Sequence, residues 1–210
     1  MLDPETVSAY AGADFDEPHS YFITLLKERL HVKSIGGLAL DLGCGPGDIT
    51  FRFASEFSDI IVHSIDGSAE MINYANKLLS SKNTLKERII FIQSMLHEYS
   101  PHSQYEFIIS NSLLHHLPDP MKLWESIKKY SKTGTSVFIM DLCRPKSLVE
   151  AERLTKTYTK GEPEILKKEF YNSLLSAFEL LEIKKQLDIA SLDLSVEKVS
   201  DRHIIIYGSV

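Results

Sequence analysis

Leu38-Ala39-Leu40-Asp41-Leu42-Gly43-Cys44-Gly45-Pro46-Gly47-Asp48-Ile49-Thr50 changes character halfway along. The first half is a short apolar run of the kind buried on both faces of a parallel sheet. Gly43, Gly45 and Gly47 then alternate with other residues, and Ile49, Phe53 and Phe57 recur every fourth residue, close to the period of a helix. A strand, a glycine turn and a helix let backbone approach a ligand closely, because glycine lacks a side chain and tolerates positive φ. Free N–H groups at the helix start add a mild positive field. A small polar ligand is expected on this turn.

The spacing narrows the ligand. A dinucleotide fingerprint needs G-x-G-x-x-G, whereas here Asp48 stands where the third glycine would be. A carboxylate there is a poor neighbour for pyrophosphate, and no G-K-[ST] follows to make a Walker loop. Asp41, at the end of the strand, suits an ammonium group. The pattern favours a ligand with a cationic amino-acid end over a phosphate.

Leu40-Asp41-Leu42-Gly43-Cys44-Gly45-Pro46-Gly47 closely resembles the first motif of the Rossmann-like S-adenosylmethionine-dependent methyltransferases. The resemblance implies that the turn (Gly43, Cys44, Gly45, Gly47) cradles the methionine half of the cofactor, and that Asp41 helps hold its amino group. It extends from about residue 34 to the end of the chain.

The whole chain sets bounds. Its 210 residues suit one domain with a sizeable core. A net charge of −6 argues against broad attraction to nucleic acid or anionic membrane. Cys44 and Cys143 are the only cysteines and have no zinc spacing, so neither a disulfide framework nor a metal is expected. Met1-Leu2-Asp3-Pro4-Glu5 lacks the basic and apolar regions of a secretory signal, and no apolar run approaches the ~18 residues of a membrane span. A cytoplasmic protein with no membrane association is the expectation.

Residues 1–33 read as an N-terminal helical cap. Phe22, Leu25, Leu26 and Leu30 form its stripe, with His19-Ser20 as the expected helix start. In the methyltransferases it resembles, this region often closes over cofactor and substrate, which makes Tyr10, His19 and Tyr21 expected lid residues. Ile60 to Ile65 reads as a second parallel strand ending at Asp66. An acid at that strand tip, roughly 20 residues after the first glycine, is where a ribose diol is gripped. Gly67 and Met71 follow it, and the resemblance places the residue matching Met71 beside the adenine. Ile89 to Ile92 is a third strand, leading to Ser94 and Met95. Many family members carry an acid there for the adenine amino group; this chain has Ser94.

Tyr105 to Asn111 is a fourth strand running into Asn111-Ser112-Leu113-Leu114-His115-His116-Leu117-Pro118-Asp119-Pro120. Ligands of open α/β sheets bind just beyond the carboxyl ends of the strands, so this segment borders the reacting group. Leu-His-His-Leu resembles the fourth motif of methyltransferases acting on small molecules. Ser112-Leu113-Leu114 departs from the Pro-Pro-aromatic sequence of nucleobase and glutamine methylases. Imidazole titrates near neutral pH, and His115 is the expected general base by position. Asp119-Pro120 starts a helix. A polar turn containing Gly134 then precedes a fifth strand, Thr135 to Met140. Residues 146–161 and a stretch from Glu162 through Phe178 read as helices, with Tyr171 as an expected substrate contact. Leu192 to Glu197 and Ile204 to Tyr207 form a closing hairpin.

The expected fold is an α/β domain with a Rossmann-like, mostly parallel seven-stranded sheet, an antiparallel C-terminal hairpin, helices on both faces and the N-terminal cap (1–33) on a methyltransferase domain (34–210). The expected function is methyl transfer from S-adenosylmethionine to a small-molecule acceptor, leaving S-adenosylhomocysteine. Two alternatives remain open on the residues alone. One is a non-catalytic S-adenosylmethionine-binding regulator or scaffold; the other, more distant, is an NAD-dependent oxidoreductase. Acceptor and oligomeric state are not legible.

Overall fold

A computed structural model describes residues 16–101 and 103–210; Tyr10 lies outside them. Alternation of short apolar strands with amphipathic helices builds the expected sheet. In chain order the elements are α1 (Asp16–Arg29), β1 (Gly36–Leu42), α2 (Asp48–Glu56), β2 (Asp59–Asp66), α3 (Ala69–Ser80), β3 (Ile89–Gln93), β4 (Tyr105–Asn111) and a 3-10 turn at Leu114–His116. Then come α4 (Met121–Tyr130), β5 (Ser131–Leu142), α5 (Leu148–Tyr158), α6 (Glu164–Ser176), α7 (Leu180–Ala190), β6 (Ser195–Lys198) and β7 (His203–Ser209).

The strand order is β3-β2-β1-β4-β5-β7-β6. β1 to β5 are parallel, and β7 runs antiparallel to β5 and β6. The order reverses between β1 and β4, so the chain leaves their carboxyl ends in opposite directions and opens a crevice there. One core layer carries Phe22 and Leu26 of α1 with Phe53 of α2 and Ala75 of α3. Phe22 meets Phe138 of β5 edge-on at 5.0 Å. The opposite layer holds Trp124 and Ile127 of α4 with Ile183 and Leu187 of α7.

Four boundaries differ from expectation. α1 begins at Asp16, before His19-Ser20, because Pro18 falls in the first turn, where a missing N–H costs nothing. β5 starts at Ser131, directly after α4. The expected turn at Gly134 is an irregularity inside that strand, where the register shifts and Gly134 adopts φ +86°. α7 was not anticipated, and it starts with a reciprocal cap between Glu179 and Glu182. β6 has only four residues, since Leu192 and Leu194 bury themselves before it begins. No helix among the described residues is long and apolar enough to cross a membrane.

Candidate active site

The chain turns sharply after β1. Gly43, Gly45 and Gly47 all have φ in the left-handed region, at +71°, +53° and +90°. The Gly43 and Cys44 N–H groups donate to the Ile65 carbonyl, tying the turn to the end of β2. A side chain at Gly47 would strike Phe91, whereas at Gly45 it would meet nothing within 4 Å. That open side faces a cavity of about 910 Å³ at the carboxyl ends of β1, β2 and β4.

Asp66 closes the β2 side of this cavity. Its carboxylate accepts the Gly45 N–H on one oxygen (2.9 Å) and the Ser68 N–H on the other (2.8 Å). An ionised carboxylate has about four acceptor sites, so capacity remains on each oxygen for a ligand hydroxyl. Ser68 then caps α3 by accepting from the Met71 N–H at 3.3 Å. A Cβ at Gly67 would lie 2.7 Å from the sulfur of Met95, the flexible end of a half-exposed side chain. Met71, Ser94 and Met95 line the cavity beyond it.

Asp41 sits on the floor and is buried. Burial pushes its carboxyl up to about 7, moderated by the hydrogen bond Thr50 Oγ1 donates to Oδ2 at 2.6 Å. Thr50 Oγ1 also lies 3.0 Å from Ser64 Oγ. Burial likewise holds the Cys44 thiol well above its ordinary range, so it is no thiolate nucleophile. On the α1 side, His19 Nδ1 lies 2.6 Å from Asp48 Oδ2, which also accepts from Arg52 Nε at 2.7 Å. Burial opposes ionisation of Asp48, but these two partners outweigh it and lower its pKa.

Asn111 ends β4 on the cavity wall, and its Oδ1 has no hydrogen-bond partner. The next residue, Ser112, takes the left-handed conformation (φ +55°), which costs a residue with a Cβ about 1 kcal/mol or more. Leu113, packed against Gly43, and then the 3-10 turn follow.

The two neighbouring histidines lie differently with respect to the cavity. His115 is buried and turned away, with Nδ1 2.5 Å from Asp141 Oδ1; its neighbour His116 lines the cavity. Tyr21 is also off the wall, donating from its hydroxyl to the Val199 carbonyl, and Tyr171 of α6 is not among the lining residues. Asp41, Gly43, Cys44, Gly45, Asp66, Gly67, Met71, Ser94, Met95, Asn111 and His19 are brought together. Gly47 stands behind the turn. The sequence reading missed Asp48, Phe51, Arg52 and Ser55 of α2, and Tyr74 and Leu78 of α3, all of which line the cavity. Their spacing was a usable signal, since residues 48, 51, 52 and 55 share one helical face, as do 71, 74 and 78. Among the described residues, no cluster of three or more His, Cys, Asp or Glu could hold a metal ion.

Comparison with known proteins joins this geometry to a family. The family model described as a methyltransferase domain matches residues 35–187, spanning the glycine turn, Asp66 and the histidine turn. The chain belongs to the methyltransferase-domain family. Phosphoethanolamine N-methyltransferase 1 of Arabidopsis thaliana is 31% identical over 126 residues, covering 60% of this chain and 25% of that protein. Ubiquinone biosynthesis O-methyltransferase of Aliivibrio fischeri is 28% identical over 158 residues, covering 72% of this chain and 63% of that one. The chain thus spans from a quarter to under two thirds of the length of these curated relatives. A solved SAM dependent methyltransferase from Aquifex aeolicus superposes with a TM-score of 0.72 at 20% identity, over 100% of this chain and 99% of that one. At that identity the likeness is one of fold.

Proposed function

We propose that the protein is an S-adenosylmethionine-dependent methyltransferase with a small-molecule acceptor. The observation that carries this reading is the pairing of the open side of Gly45 with the Asp66 carboxylate on one cavity in a methyltransferase-family chain. The turn fits a close-lying methionine backbone, and Asp66 retains acceptor capacity for both ribose hydroxyls. Asp41 supplies a carboxyl for the amino group. Gly67, Met71, Ser94 and Met95 form a mostly apolar slot of the kind that takes an adenine, and Asn111 borders the methyl end.

The cofactor brings a reactive sulfonium, so the protein's work is alignment of nucleophile, methyl carbon and sulfur. Asn111, Leu113, His116, Leu117 and His19 line the same cavity, and the acceptor is assigned to the space beside them. Relatives named for N- and O-methylation of small molecules support a small acceptor. A cytoplasmic location is part of the same proposal. Calorimetric titration with S-adenosylmethionine, S-adenosylhomocysteine and NAD tests it. Micromolar binding of the first two, lost in Asp66→Ala, is expected. Binding of NAD alone would overturn the reading in favour of an oxidoreductase, and tight cofactor binding without transfer to any acceptor would favour a scaffold.

A further inference from the structure

We propose that the protein faces the purine edge of its cofactor with a hydroxyl of either polarity, Ser94, and so binds a 6-oxopurine cofactor about as well as the 6-aminopurine one. This deepens the methyltransferase reading above and rests on it. Ser94 is the first residue past β3, the outermost strand on that side of the sheet. Its N–H donates to the Asp66 carbonyl at 2.9 Å, which sets it one strand beyond the Asp66 carboxylate on the same cavity. With the ribose on Asp66 and the base among Gly67, Met71, Ser94 and Met95, Ser94 is the one polar side chain of that slot.

The carboxylates on the cavity wall are engaged elsewhere. Asp41 accepts from Thr50 on the floor, and Asp48 faces His19 and Arg52 on the α1 side. Asp66 holds the Gly45 and Ser68 N–H groups and keeps its remaining acceptor sites for the ribose. Glu98, the next acid along the chain from Ser94, is exposed and is not among the lining residues. Met71, Met95 and Leu96 offer no strong donor or acceptor. Further along the wall, the Tyr74 phenol both donates and accepts, and Lys82 only donates. Among the described lining residues, then, no acceptor-only side chain is left for the base.

The Ser94 hydroxyl can turn. Its Oγ donates to the Met95 carbonyl at 3.1 Å, an oxygen that also accepts the Glu98 and Tyr99 N–H groups, each at 3.1 Å. A carbonyl has two lone pairs, so the third donor is surplus and the hydroxyl proton moves at small cost. A hydroxyl so placed accepts from a 6-amino group or donates to a 6-oxo group. A carboxylate would only accept, and a 6-oxo group against it would set two acceptors face to face, which costs more than a missing bond. The outer wall adds to the tolerance. Met95 is 50% exposed and its side chain is flexible, so water reaches the purine edge. That water serves N1 whether it accepts, as in adenine, or donates, as in hypoxanthine.

The test is calorimetric titration of the full chain with S-adenosylhomocysteine and with the same thioether carrying hypoxanthine in place of adenine. The net worth of one neutral hydrogen bond sets the scale, so the two Kd values should agree within about 10-fold. Weaker binding of the hypoxanthine ligand by more than that overturns the proposal, because it reveals an acceptor that only the amino group satisfies. Protein that binds neither ligand overturns the methyltransferase reading itself. Ser94→Asp supplies an acceptor-only group at the purine edge. It should open a gap of about 10–100-fold in favour of adenine, the range of a hydrogen bond to a charged group. A Ser94→Asp protein that melts like the parent and keeps the parent's ratio of Kd values would place the purine edge away from Ser94 and overturn its role.

Discussion

One added methyl group at Gly45 and one at Gly47 should do different things to the same turn. Both residues have positive φ, so alanine costs about 1 kcal/mol of backbone strain at either. At Gly47 the new Cβ would lie 2.7 Å from Phe91 Cζ and 3.1 Å from Phe51 Cε2. Those rings pack edge-on at 5.5 Å in the core, so neither moves cheaply. Overpacking adds about 1–3 kcal/mol, for a total near 3 kcal/mol. In a domain of this size that lowers Tm by roughly 6–12 °C. At Gly45 the Cβ meets nothing, and Tm should fall by roughly 2–4 °C. The same methyl group stands where the ligand must come within van der Waals contact. Binding of S-adenosylhomocysteine should therefore weaken by roughly 10–100-fold, the equivalent of the same overpacking cost. Thermal unfolding and calorimetric titration of both variants measure the two effects. Unaltered binding in Gly45→Ala, or melting as low as that of Gly47→Ala, would refute the reasoning.

The floor of the site yields two further expectations. Thr50→Val removes a buried hydroxyl that serves both Asp41 and Ser64. It should cost about 1–3 kcal/mol, read as a Tm lower by roughly 2–12 °C; a shift under 1 °C would mean those groups do not depend on it. Asp41 holds its proton to about pH 7 when folded but loses it near 3.8 when unfolded, so between these values the folded state binds more protons. Stability from this group is therefore full below about pH 4 and is lost as pH rises to about 7. Asp41→Asn should flatten that slope in melts across pH 4–7, and an unchanged slope would place its source elsewhere.

Much of the fold was legible because the parallel strands read as apolar runs, most fully buried in β1, β4 and β5, while each surface helix repeats at its own period. The hidden parts have physical reasons. α7 follows α6 across Ala177-Phe178-Glu179 with no glycine or proline to mark the break. The break comes from a bridge between Phe178 and Cys143, and from the Glu179–Glu182 cap. Gly134 looked like a turn because its positive φ serves an irregularity within β5 instead. The places of the glycine turn and of Asp66 on the cavity were readable since they depend on backbone and on strand-tip position. That His115 is buried against Asp141 while His116 lines the cavity is a matter of tertiary packing, which the adjacent pair of identical residues does not announce. The α2 wall was missed because Asp48, Phe51, Arg52 and Ser55 matter as one helical face rather than as a motif.

The most direct test of the central claim is a crystal structure of the protein with S-adenosylhomocysteine. The expected density places the amino-acid end on the Gly43–Gly47 turn, the ribose hydroxyls on Asp66 and the adenine beside Met71. Density elsewhere in the cavity, or an empty glycine turn at saturating ligand, would contradict it.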